Sequence, residues 1–270
     1  MKTILFATDF SRGSRKAAQT AAQMGIKTGA KLILFHAYRY LMPLDSEMSM
    51  LAVSAQDLEK HSLYMLKRLR NRLIKKFSPA LEIEVLVKEG LVIDALTDAL
   101  EETNTDLLIM GSVGDSPLGS RYFGSLATSM IHHTKVPMLI VPPKANYSTF
   151  QNAVLGLDFR YDVDAEVLGK TISILRDLDA VVNLYTLTED SEYAKDSALK
   201  IREFLKNVPH TYTVAQEGDF SKSVLDFSKS THADLIITFP RKHNIFERFF
   251  TDTNTERLAK NDTISILTVV

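Results

Sequence analysis

The sequence contains no cysteine. That removes disulfides and thiolate metal ligands, and a reducing interior suits such a chain at least as well as an oxidising exterior. Long apolar runs are missing too. Nowhere do about 18 apolar residues follow one another, and the opening "MKTILFATDF" has only a short run before Asp9. Neither a membrane span nor a signal peptide is expected, and a cytoplasmic location is. An excess of one charge is also absent: 32 Lys and Arg face 33 Asp and Glu, for a formal net charge of −1. This excludes the strongly basic character of a nucleic-acid-binding chain. The balance hides an asymmetry. Residues 1–144 carry 18 basic against 14 acidic side chains and residues 145–270 carry 14 against 19, so the two parts can face each other favourably.

Several motifs of chemistry are lacking as well. There is no Gly-x-Ser-x-Gly elbow, no His-Glu-x-x-His helix and no Gly-x-Gly-x-x-Gly dinucleotide fingerprint. Glycine itself is scarce, 11 in 270 residues, yet four fall within "GSVGDSPLGSRYFGS" at 111–125. Inside it, "GDSPLGSR" (114–121) has the glycine spacing of a P-loop. However, Ser120 and Arg121 stand where the phosphate-reaching lysine and the magnesium-binding hydroxyl are required, so it is not one.

What is present is a regular alternation. "TILFAT" (3–8), "KLILFHAY", "LEIEVLVKEG", "DLLIMG" and "VPMLIVPP" read as strands, with helices after the first turn, over 52–77, over "LVIDALTDALEET" and near 122–134. Near-continuous Val, Ile and Leu runs separated by amphipathic helices predict a parallel sheet covered on both faces. After "PPKANYSTFQN", a linker-like stretch, the pattern restarts at "AVLGLDF". It continues through "AVVNLYTLT", a helix near 191–206, "TYTVAQEGD", "SVLDFSKSTHADLIITF", a helix across 245–260 and "ISILTVV". Asp9-Phe10 recurs as Asp158-Phe159, and an offset of 128 aligns 89–142 with 217–270 without a gap. The chain therefore reads as an internal duplication, with domains at 1–144 and 150–270.

The glycine stretch directly follows the strand "DLLIM" and opens a helix, in the spacing Gly111-x2-Gly114-x9-Gly124-Ser125. In an open parallel sheet, ligands lie beyond the carboxyl ends of strands, and amides at a helix start receive anions. A polyphosphate suits that arrangement. This pattern, after a fourth strand and with Asp9 ending the first, resembles the ATP-binding subset of the universal stress protein family. The resemblance covers the chain as a tandem pair. It is specific in the first copy and rests on the strand and helix pattern alone in the second. It implies an α/β fold, two doubly wound domains each with a five-stranded parallel sheet of order 3-2-1-4-5. It also implies an adenine nucleotide, ATP or a relative with or without Mg, held at the carboxyl edge of the first copy.

Carried over by residue, the resemblance puts Thr8 and Asp9 beside ribose or adenine, with the backbone of Ala7 close by and backbone atoms of Ala37 on the adenine edge. Met110 packs near the base. The amides of Ser112, Gly114, Gly124, Ser125 and Leu126 receive phosphates, and the Ser125 hydroxyl adds a bond. Val113 departs from the polar residue often found there, which weakens phosphate contact. The second copy has "FPRKHNIFERFFTDT" (239–253), with Phe239 for Gly111, Lys242 for Gly114, Asp252 for Gly124 and only Thr253 keeping a hydroxyl. It is not expected to bind ATP in the same manner, and the comparison suggests that the fold itself does not require the glycines.

Other features have plainer readings. Asp9 is equally a turn or helix-cap residue. The basic "LKRLRNRLIKK" (66–76) reads as a solvated helix face with its leucines buried. His132-His133 reads as a helix C-terminal pair and not as metal ligands. The methionine-bearing 41–56 reads as a loop over the core, with a lid as the minority alternative. The leading functional reading is a regulatory adenine-nucleotide binding protein in which nucleotide orders the 111–121 loop and alters a surface read by a protein partner. The family also implies an intrachain pseudo-dimer through the last strands. Two alternatives stay open: a slow ATP-cleaving or phosphotransfer enzyme using Asp9 and a divalent metal, and a nucleotide-free interaction scaffold.

Overall fold

The computed structural model of the chain describes residues 1–40, 54–112, 125–145, 150–158, 164–187, 192–215, 220–239 and 263–270. The stretch 41–53, most of the glycine stretch, and the helix expected at 245–260 lie outside the described residues. In the first half, β1 (Thr3–Ala7), β2 (Lys31–Tyr38), β3 (Ile83–Glu89), β4 (Leu107–Gly111) and β5 (Met138–Val141) alternate with α1 (Ser14–Thr28), α2 (Ala55–Lys76), α3 (Val92–Glu102) and α4 (Ser125–His133). The second half repeats the order with β6 (Asn152–Asp158), α5 (Ala165–Asp177), β7 (Val181–Leu187), α6 (Glu192–Leu205), β8 (His210–Ala215), α7 (Phe220–Ser230), β9 (Leu235–Thr238) and β10 (Ser265–Thr268). The offset of 128 read from the sequence carries α3 onto α7 end for end.

All ten strands form one sheet in the order β3-β2-β1-β4-β5-β10-β9-β6-β7-β8. Each half is thus a parallel 3-2-1-4-5 sheet, as expected. The halves are joined where β5 and β10 pair antiparallel, Leu139 opposite Leu267. The apolar last strands foreseen as mutually buried are therefore neighbours within the chain. Strand alternation sends Leu139, Val141, Leu267 and Val269 to one face, where a single hydrophobic core runs through both halves. On the opposite face Met138 and Ile140 belong to a first-half core and Ile266 to a separate second-half core.

Local chemistry explains the helices. Four small buried residues, Ala17, Ala18, Ala21 and Ala22, give α1 the face it lays on the sheet, and Gly29 ends it in the left-handed conformation at φ +69°. Ser54 caps α2 by accepting from the Asp57 amide, and Asp164 caps α5 by accepting from the Glu166 amide. Along α2, Leu66 and Leu73 are buried while Lys67, Arg68, Arg72, Lys75 and Lys76 are exposed, which is the solvated-face reading. At the end of α4 the exposed His133 donates from Nδ1 to the Ser129 carbonyl (2.7 Å), the use of a C-terminal histidine that the helix dipole favours.

Candidate functional site

The order 3-2-1-4-5 reverses direction between β1 and β4. Strands on either side of that point lead their connections to opposite faces, which leaves a crevice at their carboxyl ends. A cleft of about 150 Å³ opens there, walled mainly by Ala7, Phe35, Val92, Met110, Leu126 and Ala127, with Thr8, Asp9, Ser14 and His36 supplying polar atoms. A cavity of this size takes a benzene-sized ring, whereas sites for whole ligands run to several hundred Å³. The described residues thus form a ring-sized, largely apolar slot.

Hydroxyls knit the β1–α1 turn that forms one lip. The Phe10 amide donates to Thr8 Oγ1 (3.0 Å) and the Ser11 amide to Asp9 Oδ1 (3.0 Å). Ser14 donates from its amide to Ser11 Oγ (3.2 Å) and from Oγ to the Ser11 carbonyl (3.0 Å), and its Oγ also lies 3.2 Å from Thr8 Oγ1. These bonds hold Phe10 at φ +62°, a conformation that a bulky residue adopts only when its surroundings impose it. Asp9 is therefore a turn residue in this structure, with its carboxylate at the mouth of the cleft.

On the other lip, β2 runs past the end of β1. The last β1 pair is Ala7 with Phe35, followed by the Thr8 amide on the Phe35 carbonyl (3.0 Å), while β2 continues to Tyr38 beside β3. Backbone groups alternate sides along a strand, so the amide and carbonyl of Ala37 point, like those of Phe35, toward the gap beyond β1. Sequence reasoning missed His36, Phe35, Ser14, Val92 and Ala127. The signal for the first two was their place in "LILFHAY" at the carboxyl end of a strand.

His36 donates from Nδ1 to the Thr8 carbonyl (2.7 Å), and its ring lies against Phe10 with centroids 4.4 Å apart. Burial pushes its pKa below the ordinary 6.5. The Thr8 hydrogen bond and the Asp9 carboxylate oppose that shift, and His61 reinforces it. Because the folded value lies below the unfolded one, the unfolded chain binds more protons as the medium is acidified. Stability contributed by neutral His36 is complete above pH 6.5 and is lost as the pH falls through its lowered folded value. We expect chemical denaturation between pH 7.5 and pH 5 to show this loss, and the His36→Gln chain to show less of it. Equal slopes for the two chains would remove His36 as the cause.

Two expectations need correction. The Ser112 amide donates to the Val141 carbonyl (2.9 Å), extending the β4–β5 ladder, so it is committed to the sheet and not offered to a phosphate. Gly111 has a packing reason of its own: a Cβ there would lie 3.2 Å from Ser14 Cα and 3.4 Å from the Gly13 carbonyl oxygen. A side chain at 111 would therefore press on main chain at the start of α1, so this glycine has a role in packing as well as in the motif. Met110 is buried and lines the cleft, and Leu126 lines it from the first turn of α4. Gly114, Gly124, Lys242, Asp252 and Thr253 lie outside the described residues, as does the Ser125 side chain.

The sequence model described as the universal stress protein family matches residues 1–142. The chain belongs to that family. Among similar proteins, a universal stress protein of Mycobacterium tuberculosis is 30% identical over 150 residues, covering 52% of this chain and 95% of the relative. One from Thermus aquaticus is 27% identical over 146 residues, again covering 52% of this chain, with 98% of its own length. Such relatives correspond to one copy. The tandem architecture has its counterpart in a universal stress protein crystal structure from Archaeoglobus fulgidus, which covers 99% of this chain and 97% of its own at a TM-score of 0.73 and 16% identity. That likeness is one of fold. This universal stress protein therefore has two copies of the family fold, and the described cleft lies in the first. None of its described helices is long and apolar enough to cross a membrane.

Proposed function

We propose that the first copy binds an adenine nucleotide, ATP in the first instance, with the base in the cleft between β1, β2 and β4. The observation that carries this reading is the coincidence of three things at one sheet edge. The strand order reverses there, a ring-sized apolar slot opens there, and the Gly-x2-Gly-x9-Gly-Ser spacing of the family's ATP-binding members begins there at Gly111. The residues fit the parts of such a ligand. Apolar Met110 and Leu126 suit the faces of a base, the Ala37 backbone offers one donor and one acceptor to its edge, and Thr8 and Asp9 suit sugar hydroxyls. The first turn of α4 and Gly114, Gly124 and Ser125 provide the phosphate end. Binding there would change the surface around 111–121 that a protein partner reads.

Calorimetric titration of ATP into the full chain tests this, with one equivalent bound per chain as the expected result. Asp9→Asn keeps an oxygen for the Ser11 amide and removes the charge beside the sugar, so affinity should fall about tenfold with little change in thermal stability. Absence of bound ATP, or two equivalents, would overturn the reading. Equal protease susceptibility at 111–121 with and without ATP would remove the coupling to a partner.

A further inference from the structure

At the place that corresponds to the first-half cleft, the second half has a buried aromatic side chain. Ala7 pairs with Phe35 across β1 and β2, and Gly156 pairs with Tyr185 across β6 and β7. Gly156 therefore stands where Ala7 stands, and Tyr185 where Phe35 stands. The offset that superposes α3 on α7 sets Phe220 at the place of Val92. In the first half Ala7, Phe35 and Val92 line an open slot, and Val92 is 41% exposed. In the second half Phe220 is 8% exposed, packed in one core with Val154, Tyr185 and Val224.

The glycine shows where that ring lies. A Cβ built on Gly156 would meet Phe220 Cζ at 3.3 Å and Val224 Cγ2 at 3.0 Å. The tip of the Phe220 ring thus sits directly over the sheet, above the residue whose counterpart, Ala7, forms the floor of the open cleft. No positive φ calls for glycine at 156; the space taken by Phe220 and Val224 does. Tyr185 in turn lies against Phe227, ring centroids 4.6 Å apart, so the aromatic filling is continuous. A pair of changes relative to the first half, Ala to Gly on the strand and Val to Phe on the helix, exchanges a slot for a packed ring.

We propose that the Phe220 ring occupies in the second half the volume that a ligand's ring takes in the first. The residue that opens the helix after the third strand of each half, Val92 or Phe220, then decides which copy can bind. The first-half part of this statement rests on the nucleotide reading above, while the filled second-half slot stands on its own geometry.

Benzene is the probe for the second half, because an apolar cavity left by a missing side chain accepts it. In Phe220→Ala, benzene should raise the melting temperature and shift the NMR signals of Gly156 and Val224, and in the unsubstituted chain it should leave those two signals unmoved. If Phe220→Ala does not fold, Phe220→Val, which installs the first-half residue, is read in the same way. Unmoved Gly156 and Val224 signals in a folded variant would overturn the proposal. The reciprocal change, Val92→Phe, places a ring at the mouth of the first cleft from an exposed position. Adenosine affinity should fall about tenfold or more with an unchanged circular dichroism spectrum, and unchanged affinity would equally overturn it. An unsubstituted chain that takes up no adenosine would count against the nucleotide reading, and the benzene measurement would then decide the filled slot alone.

Discussion

Leu267→Asp should lower the unfolding free energy by about 3–5 kcal/mol, the cost of leaving a carboxylate without a partner in an apolar interior. Leu267 is 2% exposed and faces Leu139 across the antiparallel pair that joins the halves. Its side chain lies in the one core that continues from the first half into the second. The described cations near the join are already engaged: Lys27 by the Leu178 carbonyl and by Asp179 at 3.7 Å, Lys170 by the Val270 carbonyl (3.1 Å) and Glu166 (3.0 Å), and the Met1 ammonium by Asp177 (2.7 Å). Urea denaturation followed by circular dichroism measures the loss. The same experiment checks the continuity of the core, because two units that share a buried face should unfold in one transition in the unsubstituted chain. Val214→Asp is the control: β8 is an edge strand, Val214 is 45% exposed, and the effect should stay within about 0.5 kcal/mol. Equal losses for the two substitutions would mean that the join is not a core at all.

That join marks a boundary between what the residues announce and what only the folded chain shows. The strands were legible because a parallel strand buried on both faces must be apolar along its buried length, and "LILF" (32–35) and "LLIM" (107–110) are. The repeat was legible because its register survives where identity does not: the offset of 128 places Phe220 on Val92 and Leu235 on Leu107, as the elements confirm. Asp9 was legible only as a choice between turn and ligand, and the Ser11 amide on its Oδ1 decides the turn without removing the other role. The apolar last strands signalled burial, but that one face fuses across them while the other divides follows from the registration of Leu139 with Leu267, a distance no local pattern encodes. Val92 and Phe220 were passed over for a related reason. Each begins an amphipathic helix and reads as ordinary packing, and the difference between them appears only when Ala7 and Gly156 are brought opposite.

Gly111→Val should cost about 2–3 kcal/mol of stability whether or not nucleotide is present, through forced movement of backbone that is already packed. The nearest atoms to a Cβ at 111 are Ser14 Cα at 3.2 Å, the Gly13 carbonyl oxygen at 3.4 Å and the Gly13 carbonyl carbon at 3.5 Å. All belong to main chain at the start of α1, so no rotamer change relieves them, and valine adds two more carbons to the same gap. The second half differs at both places. Four residues separate Asp9 from the start of α1 at Ser14, whereas six separate Asp158 from the start of α5 at Ala165. At the position of Gly111 the second half has Phe239, which packs against the shared core. Gly111 is therefore coupled to the short β1–α1 turn, the same turn whose Thr8, Ser11 and Ser14 hydroxyls shape one lip of the cleft. Displacing α1 by the few tenths of an ångström that valine demands disturbs that network, so ATP affinity should fall together with stability. Thermal denaturation of Gly111→Val without ligand separates the two effects: an unchanged melting temperature with lost ATP binding would make Gly111 a residue of the ligand alone and remove the packing role argued for it.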